Sequence, residues 1–473
     1  FRCSGLVAVG VVSGGLVGGV GAAAEVGGGN PWARAARISA SVRGPRFPRR
    51  FFDVTRFGAV GDGVTDCSAA IDAAVRACAG AGGGHVVVPG GRFLTGPIHL
   101  RSNVDLHVTA GATLAFSQDP ARYLPVVFTR WEGTELYNYS PLVYAFGQRN
   151  IAITGAGTLD GQADNAHWWP WKGSAEFGWK AGDPHQAAAR AALQDMAERG
   201  VPVEQRVFGD GGFLRPNFIQ PYRCRNVLIE GVTVRNSPMW EIHPVLSQNV
   251  LVRGVTVDTH GPNNDGCNPE SSRDVVIRGC TFDTGDDCVA IKSGRNADGR
   301  RVNVPSERIL IEDCVFRAGH GGVTVGSEMS GGVRDVFARN LTMSSPDLNT
   351  AIRFKTNSIR GGFIHDLYAR DISVGTVAQS AIVIDFFYEE GPGHGFNPDV
   401  HTIDIRNLTV ETADRALNLR GYPDDPVRDI RLTHVNFQHA NQPDIIEDVD
   451  GLLLRDVWEN GQRLPDTVPP LRN

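Results

Sequence analysis

The chain has 473 residues, long enough for two or three ordinary domains, and its formal charge of −6 with a pI near 6.1 gives no footing for nucleic acid as a partner. With 57 Gly, 27 Pro and only 4 Met it is poor material for long helices and suits strands and loops. Net charge leaves an acidic substrate open, because a locally basic strip on a mildly acidic protein still binds an acidic polymer.

In chain order, residues 1–30 stand apart. Arg2 precedes a Gly-rich apolar run from Leu6 to Val20, followed by Ala22, Ala23 and Ala24. This reads as a secretory signal peptide without its initiator Met, cleaved after Ala24, and implies a secreted or periplasmic protein. The run is too short and too glycine-rich for a membrane span, so no membrane partner is expected. Residues 31–50 read as a linker. Next, Phe57-Gly-Ala-Val-Gly-Asp-Gly63 leads into Thr65-Asp66-Cys67 and an Ala-rich stretch from Ser68 to Ala79. Asp66 suits an N-cap, and Ile71, Ala74, Val75 and Cys78 follow helical spacing. A helix there would cap the open end of stacked strands.

The dominant pattern is an internal repeat. Asn226-Val-Leu-Ile-Glu-Gly-Val-Thr-Val234 recurs as Asn249-Val-Leu-Val-Arg-Gly-Val-Thr-Val257, Asp274-Val-Val-Ile-Arg-Gly-Cys-Thr-Phe282 and Arg308-Ile-Leu-Ile-Glu-Asp-Cys-Val-Phe316. Weaker copies start at Asn103, Asn150, Asp335, Asp366, Thr402 and Asp429. Each copy is a short strand, a bend and another short strand, a unit that buries its apolar face only by stacking on its neighbours. The expected architecture is all-β: a parallel β-helix of about ten coils over residues 51–473, one catalytic domain with the N-terminal capping helix. Residues 168–216 interrupt it as an insertion carrying Trp168, Trp169 and Trp171 and a helical piece around His185 to Arg199. The eight cysteines are too sparse for a disulfide framework. Cys280 and Cys314 occupy one repeat position and read as buried thiols, with a ladder disulfide as the alternative, and no spacing suggests zinc.

Register brings chemistry together. Asp286 and His320 both lie at offset 12 from their repeat starts, and equal offsets stack about 4.8 Å apart. Val289–Ser293 then lies over Val323–Ser327 and 352–356, with Lys292, Arg353 and Lys355 alternating outward. Superposing Cys267 on Cys288 sets Asp265 beside Asp286, with Asp287 next in the chain. Clustered carboxylates raise one another's proton affinity, and a carboxyl pair is what glycoside hydrolysis requires: one protonates the leaving oxygen, another activates water or attacks the sugar. Arg353 and Lys355 suit a carboxylate on the sugar. A solvated bend or an oxygen-ligated calcium site is the alternative for the same aspartates.

Asn263-Asn-Asp265, Gly285-Asp-Asp287, Gly319-His-Gly321 and Arg353-Phe-Lys355 resemble, in order and spacing, the four signature motifs of the polygalacturonase family of glycoside hydrolases (family 28), over nearly the whole chain from Phe51. Asn264 stands where many members carry Thr, and Phe354 where Ile is usual. The resemblance implies a right-handed β-helix and a metal- and cofactor-free inverting hydrolase of α-1,4-galacturonosidic bonds. By motif position Asp286 is then the general acid, Asp265 and Asp287 activate water, His320 tunes the acid, and Arg353 and Lys355 grip the galacturonate carboxylate. Inversion needs acid and base about 6.5–9.5 Å apart, so the bend at Gly285 is expected to splay Asp287 from Asp286.

The stretches 236–244, 294–296 and 386–390 are similar to the bacterial branch that includes exo-acting enzymes. The insertion and the loop from Arg295 to Pro305 are expected to wall off one end of the binding strip, which favours exo over endo action. Asn264, Lys292, His243, Gln220 and Tyr388 complete the expected substrate contacts, with Trp131 and Trp168 as further stacking candidates. The expected partner is pectin or another galacturonan of the plant cell wall, or its oligosaccharides, met by a monomer. An endo-polygalacturonase, a rhamnogalacturonan hydrolase, a calcium-dependent pectate lyase and a non-catalytic polysaccharide-binding β-helix are the competing expectations.

Overall fold

The computed structural model describes residues 30–467, so the presumed signal segment before Asn30 lies outside the described residues, as does Cys3. Three parallel ladders run the length of the molecule and form a right-handed β-helix. The first stacks 149–155, 225–230, 248–253, 273–278 and 306–312 and continues through 449–459. The second stacks 158–160, 233–235, 256–259 and 281–284. The third stacks 289–291, 323–326, 352–355 and 380–385.

Both corners of the repeat have a backbone reason. Every predicted repeat start, from Asn103 to Asp429, has φ between 51° and 67°. The residue five positions on, such as Gly254, Gly279, Asp313, Asn340 or Asp371, is also left-handed, at 54–60°. Asn, Asp and Gly tolerate that region best, so the repeat writes its own turns into the sequence. At the first corner the amides also stack: Asn150, Asn226 and Asn249 each donate Nδ2 to the Asn one coil back, at 2.8–2.9 Å. Between the corners Val227, Ile229, Val250, Val252, Val275, Ile277, Ile309 and Ile311 point inward and are buried. Each contributes on the order of 1.5–3 kcal/mol relative to exposure. Cys280 and Cys314 lie in the same core, and the seven described cysteines are all buried free thiols.

Among the described residues four α-helices sit on the solenoid: α1 (Pro31–Ser41), α2 (Ser68–Gly80), α3 (Ala187–Glu198) and α4 (Asn296–Val302). Helix α2 packs on the first strands with Ile71, Ala74, Val75 and Cys78 buried, as its spacing requires. Cys67 occupies the N-cap position, one residue later than expected, while Asp66 Oδ1 accepts the Ser68 N–H at 3.0 Å. The linker expectation for 31–50 is corrected over residues 31–41, which form a helix. Asn30 caps α1, Pro31 opens it, and Ala35 and Ile38 bury against Ala152, Leu228, Leu251, Val276, Leu310 and Phe337. Those six outward positions form an apolar stripe on the first ladder, and water exposure of that stripe is what α1 removes. Among the described residues no helix is long and apolar enough to cross a membrane.

Candidate active site

The third ladder carries the site. Val289 pairs with Val323 and Val323 with Ile352, which stacks Asp286 on His320 and places Lys292, Gly326 and Lys355 in one row. The superposition of Cys267 on Cys288 is one residue out, because Cys267 pairs with Val289. Asp265 therefore stands opposite Asp287 by backbone register, with Asp286 still its strongest charged neighbour. Two glycines make the close approach possible. A Cβ on Gly285 would lie 2.4 Å from the Gly261 carbonyl oxygen, and one on Gly321 would lie 2.9 Å from Asp287 Oδ1.

The three carboxylates differ in what holds them. Asp286 keeps 16 % side-chain exposure, against 4 % for Asp265 and none for Asp287, so it is the member that meets solvent and any bound chain. His320 Nδ1 donates to Asp286 Oδ1 at 3.0 Å, and that oxygen also accepts the Asp287 N–H at 2.9 Å. Asp287 turns the other way. Its Oδ2 lies 2.6 Å from Lys355 Nζ, and its Oδ1 accepts from Thr324 Oγ1 at 3.1 Å and lies 3.6 Å from Arg353. The two neighbouring aspartates share no side-chain hydrogen-bond partner. Asp265 Oδ2 accepts from Asn268 Nδ2 at 2.9 Å and lies 3.6 Å from Lys292 Nζ.

Proton affinities divide accordingly. Burial, then the charge of Asp286, pushes Asp265 well above the usual carboxylate range. Burial also works to raise Asp286, but the His320 hydrogen bond and charge, with Lys355 and Lys292, outweigh it and hold it below that range. His320 is raised above its ordinary 6.5 by the same hydrogen bond to Asp286. The two carboxyls therefore shift in opposite directions, Asp265 upward and Asp286 downward. The donor set does not fit calcium. Lysine ammonium groups occupy the flanks of Asp265 and Asp287 that an all-oxygen shell would need.

Arg353 keeps 21 % exposure and, with Lys355, lies over the Tyr388 ring at 5.7 and 5.3 Å. These three stand together beside Asp287. Lys292 is corrected from substrate contact to buried brace: it joins Asp265 to Glu328 (2.9 Å), donates to the Gly326 carbonyl and lies 4.5 Å over Trp240. Asn264 is also withdrawn as a substrate ligand. Its amide is fully buried, accepting from Thr259 Oγ1 and the Gly261 N–H and donating to the Ser237 and Met239 carbonyls. His243 and Gln220 are buried structural residues too. His243 Nε2 donates to Glu270 at 2.6 Å, while its Nδ1 accepts from Gln220 and Asn217 at 3.1 Å, so nothing is left for a sugar. Trp131 and Trp168 are buried and unavailable for stacking.

The insertion supplies residues that no repeat register could place. Arg215 is buried with its guanidinium on the Pro238 and Pro262 carbonyls and Asn263, and Lys172 Nζ donates to the same Asn263 Oδ1. Around it, loops are locked by ion pairs. Arg190 meets Glu132, Arg206 meets Asp298 and Arg301 meets Glu135, each at 2.6 Å, and Arg360 meets Glu389 at 2.8 Å.

Comparison with known proteins decides the family. The model of glycosyl hydrolases family 28 matches residues 209–451, and that of rhamnogalacturonase A/epimerase, pectate lyase-like, matches 51–112. The chain belongs to glycoside hydrolase family 28. This family 28 enzyme resembles the crystal structure of a hyperthermoactive exopolygalacturonase from Thermotoga maritima, with 49 % identity and a TM-score of 0.89 over 92 % of this chain and 97 % of that one. It is 29 % identical to a probable polygalacturonase of Vitis vinifera over 87 % of this chain and 80 % of that protein. It is 27 % identical to an exo-poly-alpha-D-galacturonosidase of Dickeya chrysanthemi over 76 % of this chain and 62 % of that protein. As a family 28 member the protein is a glycosidase on a β-helix, and the aspartate cluster is its candidate catalytic centre.

Proposed function

We propose that this glycosidase removes galacturonate units from the end of α-1,4-galacturonan or pectin chains, with inversion of configuration. The observation that carries the reading is Asp286: the one accessible carboxyl of the cluster, backed by His320, with the part-exposed Arg353 and Tyr388 standing beside the next residue, Asp287. The raised proton affinity of Asp265 lets the pair hold one proton, which serves the reaction when it resides on Asp286. Asp286 then protonates the leaving oxygen, while ionised Asp265 and Asp287 activate water. His320 stabilises the Asp286 carboxylate as it forms, and Arg353 pairs with the sugar carboxylate, helped by Lys355. The similarity to the Thermotoga exopolygalacturonase supports end-wise action, and the ion-paired loops around the insertion would close one end of the binding strip in this reading. Export from the cytoplasm, where such a polymer would be met, is part of the same proposal.

Timed digestion of oligogalacturonides of defined length tests it. Release of monomer alone, with no unsaturated product and no effect of a chelator, is expected. Mixed oligomers would replace the exo reading with endo action, and a chelator-sensitive product absorbing in the ultraviolet would replace hydrolysis with lyase chemistry.

A further inference from the structure

Lys172 is a cation at the site that the mechanism above leaves unused. It ends the short turn Trp169–Lys172 at the start of the insertion, and Gly173 follows in the left-handed region. The turn is firmly anchored. Trp169 Nε1 donates to the Ser237 carbonyl at 2.9 Å, and Trp171 packs on Trp168 and Phe213 with ring centroids 5.0 and 5.2 Å away. The ammonium is therefore fixed against the coil of Asp265, donating to Asn263 Oδ1 at 3.0 Å. That acceptor is a neutral amide already taken by Arg215 at 2.8 Å. Among the described residues no carboxylate pairs with Lys172, and the two acids whose charges reach it are engaged elsewhere, Glu132 by Arg190 at 2.6 Å and Asp286 by His320 at 3.0 Å. Half-buried beside two arginines, the ammonium has no carboxylate paired with it, which is costly unless a bound anion supplies one.

Its place along the solenoid says which anion. Asn263 lies one coil to the N-terminal side of Asp286, and Arg353 two coils to the C-terminal side. The cations bracket the acid, and Lys172 is near enough to Asp286 for their charges to interact.

We infer that Lys172 binds the carboxylate of a second uronate, across the scissile bond from the one held by Arg353, so that the enzyme reads an acid on both sugars flanking the bond it cuts. This rests on the galacturonan reading. Esterifying the sugar on the Lys172 side removes the charge that the ammonium meets and leaves the other contact intact.

The test compares digalacturonate with its two mono-methyl esters, one on each sugar, as ratios of kcat/KM measured on a single preparation. Such ratios do not depend on the fraction of enzyme folded. The intact enzyme is expected to disfavour either ester by at least tenfold. Lys172→Met should lose discrimination against one ester, to within about threefold, while keeping it against the other, and Lys172→Arg should restore part of it. A Lys172→Met enzyme that keeps both preferences overturns the inference and leaves Lys172 as a brace for Asn263. If the intact enzyme cuts neither digalacturonate nor longer galacturonans, the galacturonan reading falls first and takes this inference with it.

Discussion

Replacing His320 with Asn probes the charge arrangement without disturbing the core. The His320 ring is half-exposed and touches the Asp286 carboxylate through one hydrogen bond of 3.0 Å. As Asp286 gives up its proton its carboxylate charge grows, and an imidazolium beside it stabilises the transition state more than the ground state. At 3.0 Å, Coulomb's law gives about 5.5 kcal/mol at an effective dielectric of 20 and about 1.4 kcal/mol in water. The half-exposure of the ring places the benefit toward the lower part of that range, near the 1.5–3 kcal/mol typical of a hydrogen bond to a charged group. The kcat of His320→Asn should therefore fall about 10- to 150-fold. The pH profile supplies the sign. His320 is raised above 6.5, so its charge is complete below that pH and disappears as pH rises through the raised value. The alkaline decline of kcat in the intact enzyme should lie above pH 6.5, and in His320→Asn that inflection should be gone. Reducing-sugar release on a short oligogalacturonide, followed from pH 4 to 9, measures both. A variant within threefold of the intact kcat, or one that retains the alkaline inflection, would refute the reasoning.

Two further substitutions separate structure from binding. Asn264→Ala leaves several buried polar partners unsatisfied and should cost about 3–5 kcal/mol, read as a lowered Tm, with KM within about twofold of the intact enzyme. A raised KM at unchanged Tm would return Asn264 to the substrate site. Lys292→Met removes the ammonium that lies 3.6 Å from Asp265 and 2.9 Å from Glu328, and should destabilise by about 3–5 kcal/mol. It should also shift the acid limb of the pH profile upward, because Asp265 then holds its proton more tightly; a thermal melt and a kcat profile check the two effects, and an unmoved acid limb would remove Asp265 from the base role.

The solenoid was legible because its information is periodic. Asn, Asp and Gly recur where both corners need a left-handed residue, and inward Val and Ile recur between them. The same periodicity placed Asp286 over His320 and the 289, 323 and 352 rows in register. It failed where identity was used in place of register: matching Cys267 to Cys288 slipped one residue, since the turn before each strand differs in length. Exposure was the other gap. Outward alternation predicts that Lys292 leaves the core, and Gln220 and His243 are expected substrate contacts, but the hairpin 127–138 and the loop at 328 cover them, and loops carry no register. Helix α1 was misread for a related reason, its partner being the odd apolar outward position of the repeat, as at Leu228 and Leu251. Lys172 and Arg215 sit in the insertion and had no sequence signal beyond charge.

The central claim is that Asp286, the accessible member of the aspartate cluster, delivers the proton to the leaving group. The single-turnover rate of Asp286→Asn on trigalacturonate, with substrate affinity measured in the same titration, tests it most directly. The amide keeps the shape and can still accept from His320, yet it has no proton of suitable acidity. The account predicts a rate reduced by about 10²–10⁴ with affinity little changed. Turnover within tenfold of the intact enzyme would contradict it.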